Sequence, residues 1–153
     1  MKYLEMKIKE IILASKSSVR KKILEEHQIK CIVEPSNIDE DNVKKSLLEK
    51  KATPEIISKN LAELKANKIS QKRNGNLVLG ADSVIDLKGK IISKPSNRVE
   101  ALSILSSLNG ETHHLISSVC ISKNGSMIWN YTEKATLTMK QMTKKELVIY
   151  LEK

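Results

Sequence analysis

Ser15, Ser17, Ser18 and Arg20 fall within IILASKSSVRKKIL, residues 11–24, where an apolar run gives way to a basic stretch. A strand that ends in a short hydroxyl-rich loop and hands over to a helix leaves backbone N–H groups free at the helix N-terminus. The helix dipole adds partial positive charge at the same place. Two or three hydroxyls and an arginine in the first turn strengthen such a site, and phosphate is its natural guest. The same residues fit a plain helix start equally well, with Ser17 or Ser18 as N-cap and Arg20 in solvent. Neither the G-x-x-x-x-G-K-S/T loop nor G-x-G-x-x-G occurs, so no P-loop or dinucleotide fingerprint is present.

Asp82 lies in GADSVI, residues 80–85, after the apolar run Leu77–Leu79. A carboxylate at a strand end beside a glycine suits a metal ligand or general base, and it suits a turn as well. Lys94, just before Pro95, follows a second strand and either returns to the same cleft or stays on the surface. Asp39, Glu40 and Asp41 form an acidic knot after a Pro-Ser-Asn turn. That knot offers magnesium one or two oxygens, or it is the acidic start of a helix. His113 and His114 are neighbours, so in a strand they point to opposite faces and do not chelate one metal together. No G-x-S-x-G elbow exists for Ser/His/Asp hydrolysis.

The elements that must position these residues alternate between α and β. Residues 11–14 read as a buried strand, Val19 to His27 as a helix, and residues 30–34 as a second strand. A polar helix is expected over 41–50. Thr53-Pro54 marks a helix start, a capping hydroxyl followed by proline. That helix carries Ile57, Leu61, Leu64, Lys65 and Lys68 at helical spacing and ends near Gln71. NLVLGADSVIDLKGKIIS, residues 76–93, reads as strand, break, strand, turn and strand, with Lys88-Gly89 as the turn. Asn97 and Glu100 suggest a capping-box variant that opens a helix ending at Gly110. THHLISSVCIS and MIWNYTEKATLTMK flank an Asn124-Gly125 hairpin turn, and Thr143 with Glu146 opens a last helix.

The chain has 153 residues, 40% hydrophobic and 29% charged, which suits one globular domain. One Trp, three Tyr and no Phe leave the core to Ile, Leu and Val. Apolar runs are too short for a membrane span, and the charged N-terminus MKYLEMKIKE lacks a signal-peptide core. A cytoplasmic location is the expectation. Cys31 and Cys120 sit in apolar strand-like segments and are expected to be free, buried thiols rather than zinc ligands. The formal charge of +9 admits a polyanionic partner. Only three of the basic residues are arginines, at 20, 73 and 98. Base readout favours arginine and single-strand binding favours aromatics, so nucleic acid is not the expected partner.

Taken in order, LASKSSVRKKIL (13–24), IDE (38–40), LAELKA (61–66), GADSVI (80–85), SKP (93–95), EALSILSSLNGETHHL (100–115) and LTM (137–139) resemble the Maf family of nucleoside triphosphate pyrophosphatases, cytoplasmic house-cleaning enzymes. The likeness runs over about residues 11–151. It implies an α/β fold of the inosine-triphosphatase-like type, a mixed twisted sheet flanked by helices with a cleft between two lobes, in a single domain over residues 1–153. It implies hydrolysis of a nucleoside triphosphate to the monophosphate and pyrophosphate with a divalent cation, Mg2+ or Mn2+. By resemblance Ser15, Ser17 and Arg20 form the phosphate loop, Glu40, Lys65, Ser83 and Lys94 contact substrate, and Asp82 is the proton acceptor. Glu40 and Asp82 would hold the metal, and a homodimer is compatible with the family.

Three features depart from the family pattern. Val19 stands where the first of two paired arginines is usual. Ser83 replaces the threonine of thymidine- and uridine-preferring members, so no such preference is carried over. Trp129 and LTM point instead toward the branch with 7-methyl-GTP enzymes. The helix beginning near Thr143 is followed at once by Glu152-Lys153, short of the family's usual length. Two alternatives therefore accompany the enzyme reading: a catalytically silent nucleotide-binding fragment of the family, and a basic nucleic-acid-binding protein.

Overall fold

A computed structural model describes residues 10–153, and in them the expected alternation takes the form of six strands and five helices. In order these are β1 (Ile11–Leu13), α1 (Ser18–Glu26), β2 (Cys31–Val33), α2 (Glu40–Glu49), α3 (Pro54–Ser70), β3 (Val78–Leu87), β4 (Lys90–Ile92), α4 (Arg98–Leu108), β5 (Thr112–Lys123), β6 (Ser126–Thr138) and α5 (Lys144–Leu151). One mixed sheet runs β2-β1-β3-β5-β6, with β4 paired to β3. β1 is parallel to β2 and β3, whereas β4 and β5 pair antiparallel with β3, and β6 antiparallel with β5.

Local chemistry sets the element ends. Thr53 Oγ1 accepts from the Ile56 N–H at 3.3 Å, with Pro54 in the first turn of α3. Thr143 and Glu146 form a complete capping box on α5. At α4 the Asn97 side chain caps the Glu100 N–H, but the Glu100 carboxylate reaches back to Ser96, one residue further than a standard box. Lys88-Gly89 and Asn124-Gly125 both take positive φ at both positions, the geometry of two-residue hairpin turns.

The long helix α3 lies across β3 and β5 and closes the core. Ala62, Ala66 and Ile69 pack with Ile12, Ala14, Val78 and Cys120; Ile57 and Leu61 pack with Val84 and Ile116. Gly80 lets the helix come close: a Cβ there would stand 2.2 Å from the Ala62 carbonyl oxygen and 2.8 Å from the Ala66 nitrogen. Close approach of one backbone to another is the use of a glycine inside a strand.

Several expectations need correction. The break foreseen inside NLVLGADSVIDL does not exist, because β3 pairs with β5 continuously from Val78 to Asp86. Asp82 is therefore in mid-strand, not at a strand end. Leu64 is 42% exposed while its neighbour Lys65 is 6% exposed, so the lysine and not the leucine enters the core. Cys120 is buried as expected, but Cys31 is only half-buried on the edge strand; both are free thiols.

One feature of the sheet positions the site. The last β1–β3 pair is Leu13 with Leu79, and β4 pairs with β3 only from Ile85 onward. Residues 80–84 of β3 thus have no strand partner on that edge. β1 runs parallel to β3 and β4 antiparallel, so the C-terminal ends of both strands point at each other across this gap. Such a break in strand order is where open α/β sheets place their ligands.

Candidate active site

The loop leaving β1 enters the gap from one side. Ser15 is buried, and its Oγ accepts from the Ser17 N–H at 3.1 Å and from Arg20 Nη1 at 3.2 Å. Ser17 is the N-cap of α1, accepting from the Arg20 N–H at 3.3 Å. Ser17 therefore caps the helix as the plain helix-start reading expects, but Arg20 folds back onto the loop instead of standing in solvent as that reading had it. Val19 is 65% exposed, so the place where the resemblance expects another arginine points to solvent.

A second cluster lies under α3. Lys65 Nζ is 2.8 Å from Glu40 Oε1, 3.2 Å from Asp82 Oδ1 and 3.2 Å from the Ala81 carbonyl oxygen. Three acceptors match the three donors of an ammonium group. Asp82 is 4% exposed, and its Oδ2 is buried with no hydrogen-bond partner. A carboxylate oxygen in that condition is costly and calls for an explanation. Ser58 holds the strand here, its hydroxyl donating to the Asp82 carbonyl at 3.0 Å.

The two carboxylates differ in proton affinity. Burial pushes Asp82 above the usual aspartate range, against the charge and hydrogen bond of Lys65 that pull the other way. For Glu40, burial is again the largest single influence and acts upward. The hydrogen bond and charge of Lys65, with the charges of Lys44 and Arg20, outweigh it together and leave Glu40 below its ordinary value. One carboxyl tuned up and its neighbour tuned down is the arrangement that separates a base from a permanent anion.

Not every candidate joins this cluster. Ser83 follows Asp82 on the strand, so its side chain faces the other side of the sheet. There its hydroxyl lies 2.9 Å from that of Ser117. Lys94 is exposed and makes no ion pair among the described residues, although it lies two positions beyond β4 at the rim of the gap. Asp39 caps α2 through the Asn42 N–H, which makes the acidic knot a helix start whose next residue, Glu40, also reaches Lys65. His114 pairs with Thr136 Oγ1 at 3.1 Å, and neither histidine enters the site. Sequence reading missed Lys44 and Ser58. Lys44 stands one helical turn after Glu40, a spacing that could have flagged it; nothing in the sequence marks Ser58.

A groove of about 550 Å³ is lined by Asp41, Lys44, Lys45, Leu48, Glu49 and Ser93. It lies between α2 and the segment that follows β4.

A profile described as Maf-like protein matches residues 10–153. The chain belongs to the Maf family. A nucleoside triphosphate pyrophosphatase of Pelagibacter ubique is 73% identical over 146 residues, covering 95% of this chain and 75% of that one. One of Caulobacter vibrioides is 39% identical, covering 97% and 74%. A 7-methyl-GTP pyrophosphatase of Bartonella quintana is 36% identical, covering 92% and 70%. Among solved structures, the Staphylococcus aureus Ham1 protein aligns with a TM-score of 0.51 at 16% identity, covering 85% of this chain and 70% of that one. That likeness concerns the fold, and it agrees with the mixed sheet flanked by helices of this Maf-family chain.

Proposed function

We propose that this protein hydrolyses a nucleoside triphosphate to the monophosphate and pyrophosphate. The single observation that carries the reading is the state of Asp82, a buried carboxylate with one oxygen tied to Lys65 and the other free. Names of the relatives at 73% and 39% identity support the same reaction class. In the proposed step Oδ2 takes a proton from water as its oxygen attacks the α-phosphorus. The bond from that phosphorus to the bridging oxygen of the β-phosphate breaks, and pyrophosphate leaves. One well-placed base contributes roughly 10²–10⁴-fold. Lys65 fixes the carboxylate, while Arg20 and the loop at the start of α1 offset phosphate charge. Lys94 at the gap rim is proposed to do the same, and Ser83 to contact substrate through its backbone edge.

The donor set also fits a divalent cation, Mg2+ or Mn2+. Glu40 is held below its ordinary value, and it and Asp82 meet on one lysine, which sets two carboxylates side by side. Among the described residues no three His, Cys, Asp or Glu side chains form a metal-holding group, so these two carboxylates would share the ion with phosphate oxygens. When bound, it would neutralise charge on the phosphates. No described helix is long and apolar enough to cross a membrane, and a cytoplasmic site of action is part of the proposal.

Purified protein is incubated with canonical and methylated nucleoside triphosphates and Mg2+ or Mn2+, and products are separated by chromatography. Monophosphate with pyrophosphate is expected. Asp82→Asn should lose turnover by at least about 10²-fold while keeping nucleotide affinity. Wild-type rates in that variant would remove Asp82 as the base.

A further inference from the structure

We infer that Lys44, in the groove between α2 and the segment after β4, binds the pyrophosphate portion of the nucleotide, carried as its divalent-cation complex. This deepens the proposed reaction and rests on it. Lys44 is half-buried, whereas Lys45, Asp41 and Glu49 in the same groove are exposed. Although it follows Glu40 by one turn, Lys44 forms no ion pair among the described residues. A lysine held partly out of water with its donors unspent is available to an anion.

The groove adjoins the site along α2, where Asp41 and Lys44 follow Glu40 on the same helix. The charge of Lys44 acts on both Glu40 and Asp82. Ser93, on the opposite wall, is the first residue after β4 and leads directly to Lys94. A phosphate chain attacked beside Asp82 would thus extend along the gap toward cations from two walls. Lys65, nearer the reacting centre, has all three donors committed to protein acceptors. Beside Arg20 and Lys94, already proposed to offset phosphate charge, Lys44 adds a half-buried cation on the α2 wall. The carboxylates of Asp41 and Glu49 suit a phosphate chain that arrives with its cation.

Calorimetric titration with magnesium pyrophosphate tests this directly. Wild type should bind, and Lys44→Gln should bind about tenfold more weakly, the loss of one charge-assisted hydrogen bond. Lys44→Arg should restore most of the affinity. Lys50→Ala, at the exposed end of α2, should behave as wild type. With nucleotide, Lys44→Gln should raise KM and the pyrophosphate inhibition constant more than it lowers kcat. Equal pyrophosphate affinity in wild type and Lys44→Gln, or no binding by either, overturns the inference. Lys44-dependent binding in a protein that hydrolyses no nucleotide would instead support the groove and overturn the hydrolase reading. Hydrolysis with pyrophosphate affinity unchanged in Lys44→Gln would overturn the groove alone.

Discussion

Asp82 and Glu40 share one lysine and yet move in opposite directions. Burial dominates Asp82, so the native protein holds that proton to higher pH than the unfolded chain does. Stability from this group is therefore present at low pH and lost as pH rises through the folded midpoint. Glu40 works in reverse: its net lowered proton affinity adds stability above the unfolded midpoint, which is lost as pH falls through the folded one. Carbon-detected NMR titration of the metal-free protein should place the Asp82 carboxyl midpoint above that of an aspartate in an unstructured peptide. Thermal melts should show Asp82→Asn gaining on wild type as pH rises through that midpoint. A midpoint at or below the peptide value would remove the basis for treating Asp82 as a strengthened base.

At the scale of elements, the site depends on how closely α3 lies on β3. Gly80→Ala would drive a methyl into the Ala62 carbonyl and the Ala66 nitrogen, both backbone atoms of a rigid helix. Overpacking of this kind costs about 1–3 kcal/mol, and urea denaturation should register it. Lifting the helix would also draw Lys65 from Asp82 and Ala81, so turnover should fall further than stability alone explains. An unchanged denaturation midpoint would mean that the helix can shift freely. Most element ends were legible in the sequence: Thr53-Pro54, Lys88-Gly89, Asn124-Gly125 and the Thr143–Glu146 box act through neighbours a few residues away. Gly80 does not break β3, because its role is to admit a helix from another part of the chain, a contact no local signal encodes.

Across the whole molecule, the formal charge is +9, mostly from lysines spread along the chain. Arg20, Lys44 and Lys65 act within or beside the gap, and Lys94 stands at its rim. A net positive field speeds the encounter with a polyanion, and salt screens it beyond about 10 Å at 0.1 M. kcat/KM for a nucleoside triphosphate should fall several-fold between low and high ionic strength, more through KM than through kcat. Insensitivity to salt would confine the useful charge to the contacts inside the site.

By itself the sequence determined the order of elements, their caps and turns, and the residue types of the proposed phosphate-handling site, because each of these follows from local backbone chemistry or from ordered short motifs. Only the tertiary structure decided that Lys65 rather than Leu64 turns inward, and that Asp82 sits in mid-strand with one oxygen unspent. It also put Ser83 on the far face of the sheet and Lys44 beside the two carboxylates. The physical reason is that a buried ammonium is tolerable only where acceptors await it. Those acceptors come from α2 and β3, segments that meet α3 only when the sheet and its covering helix close together.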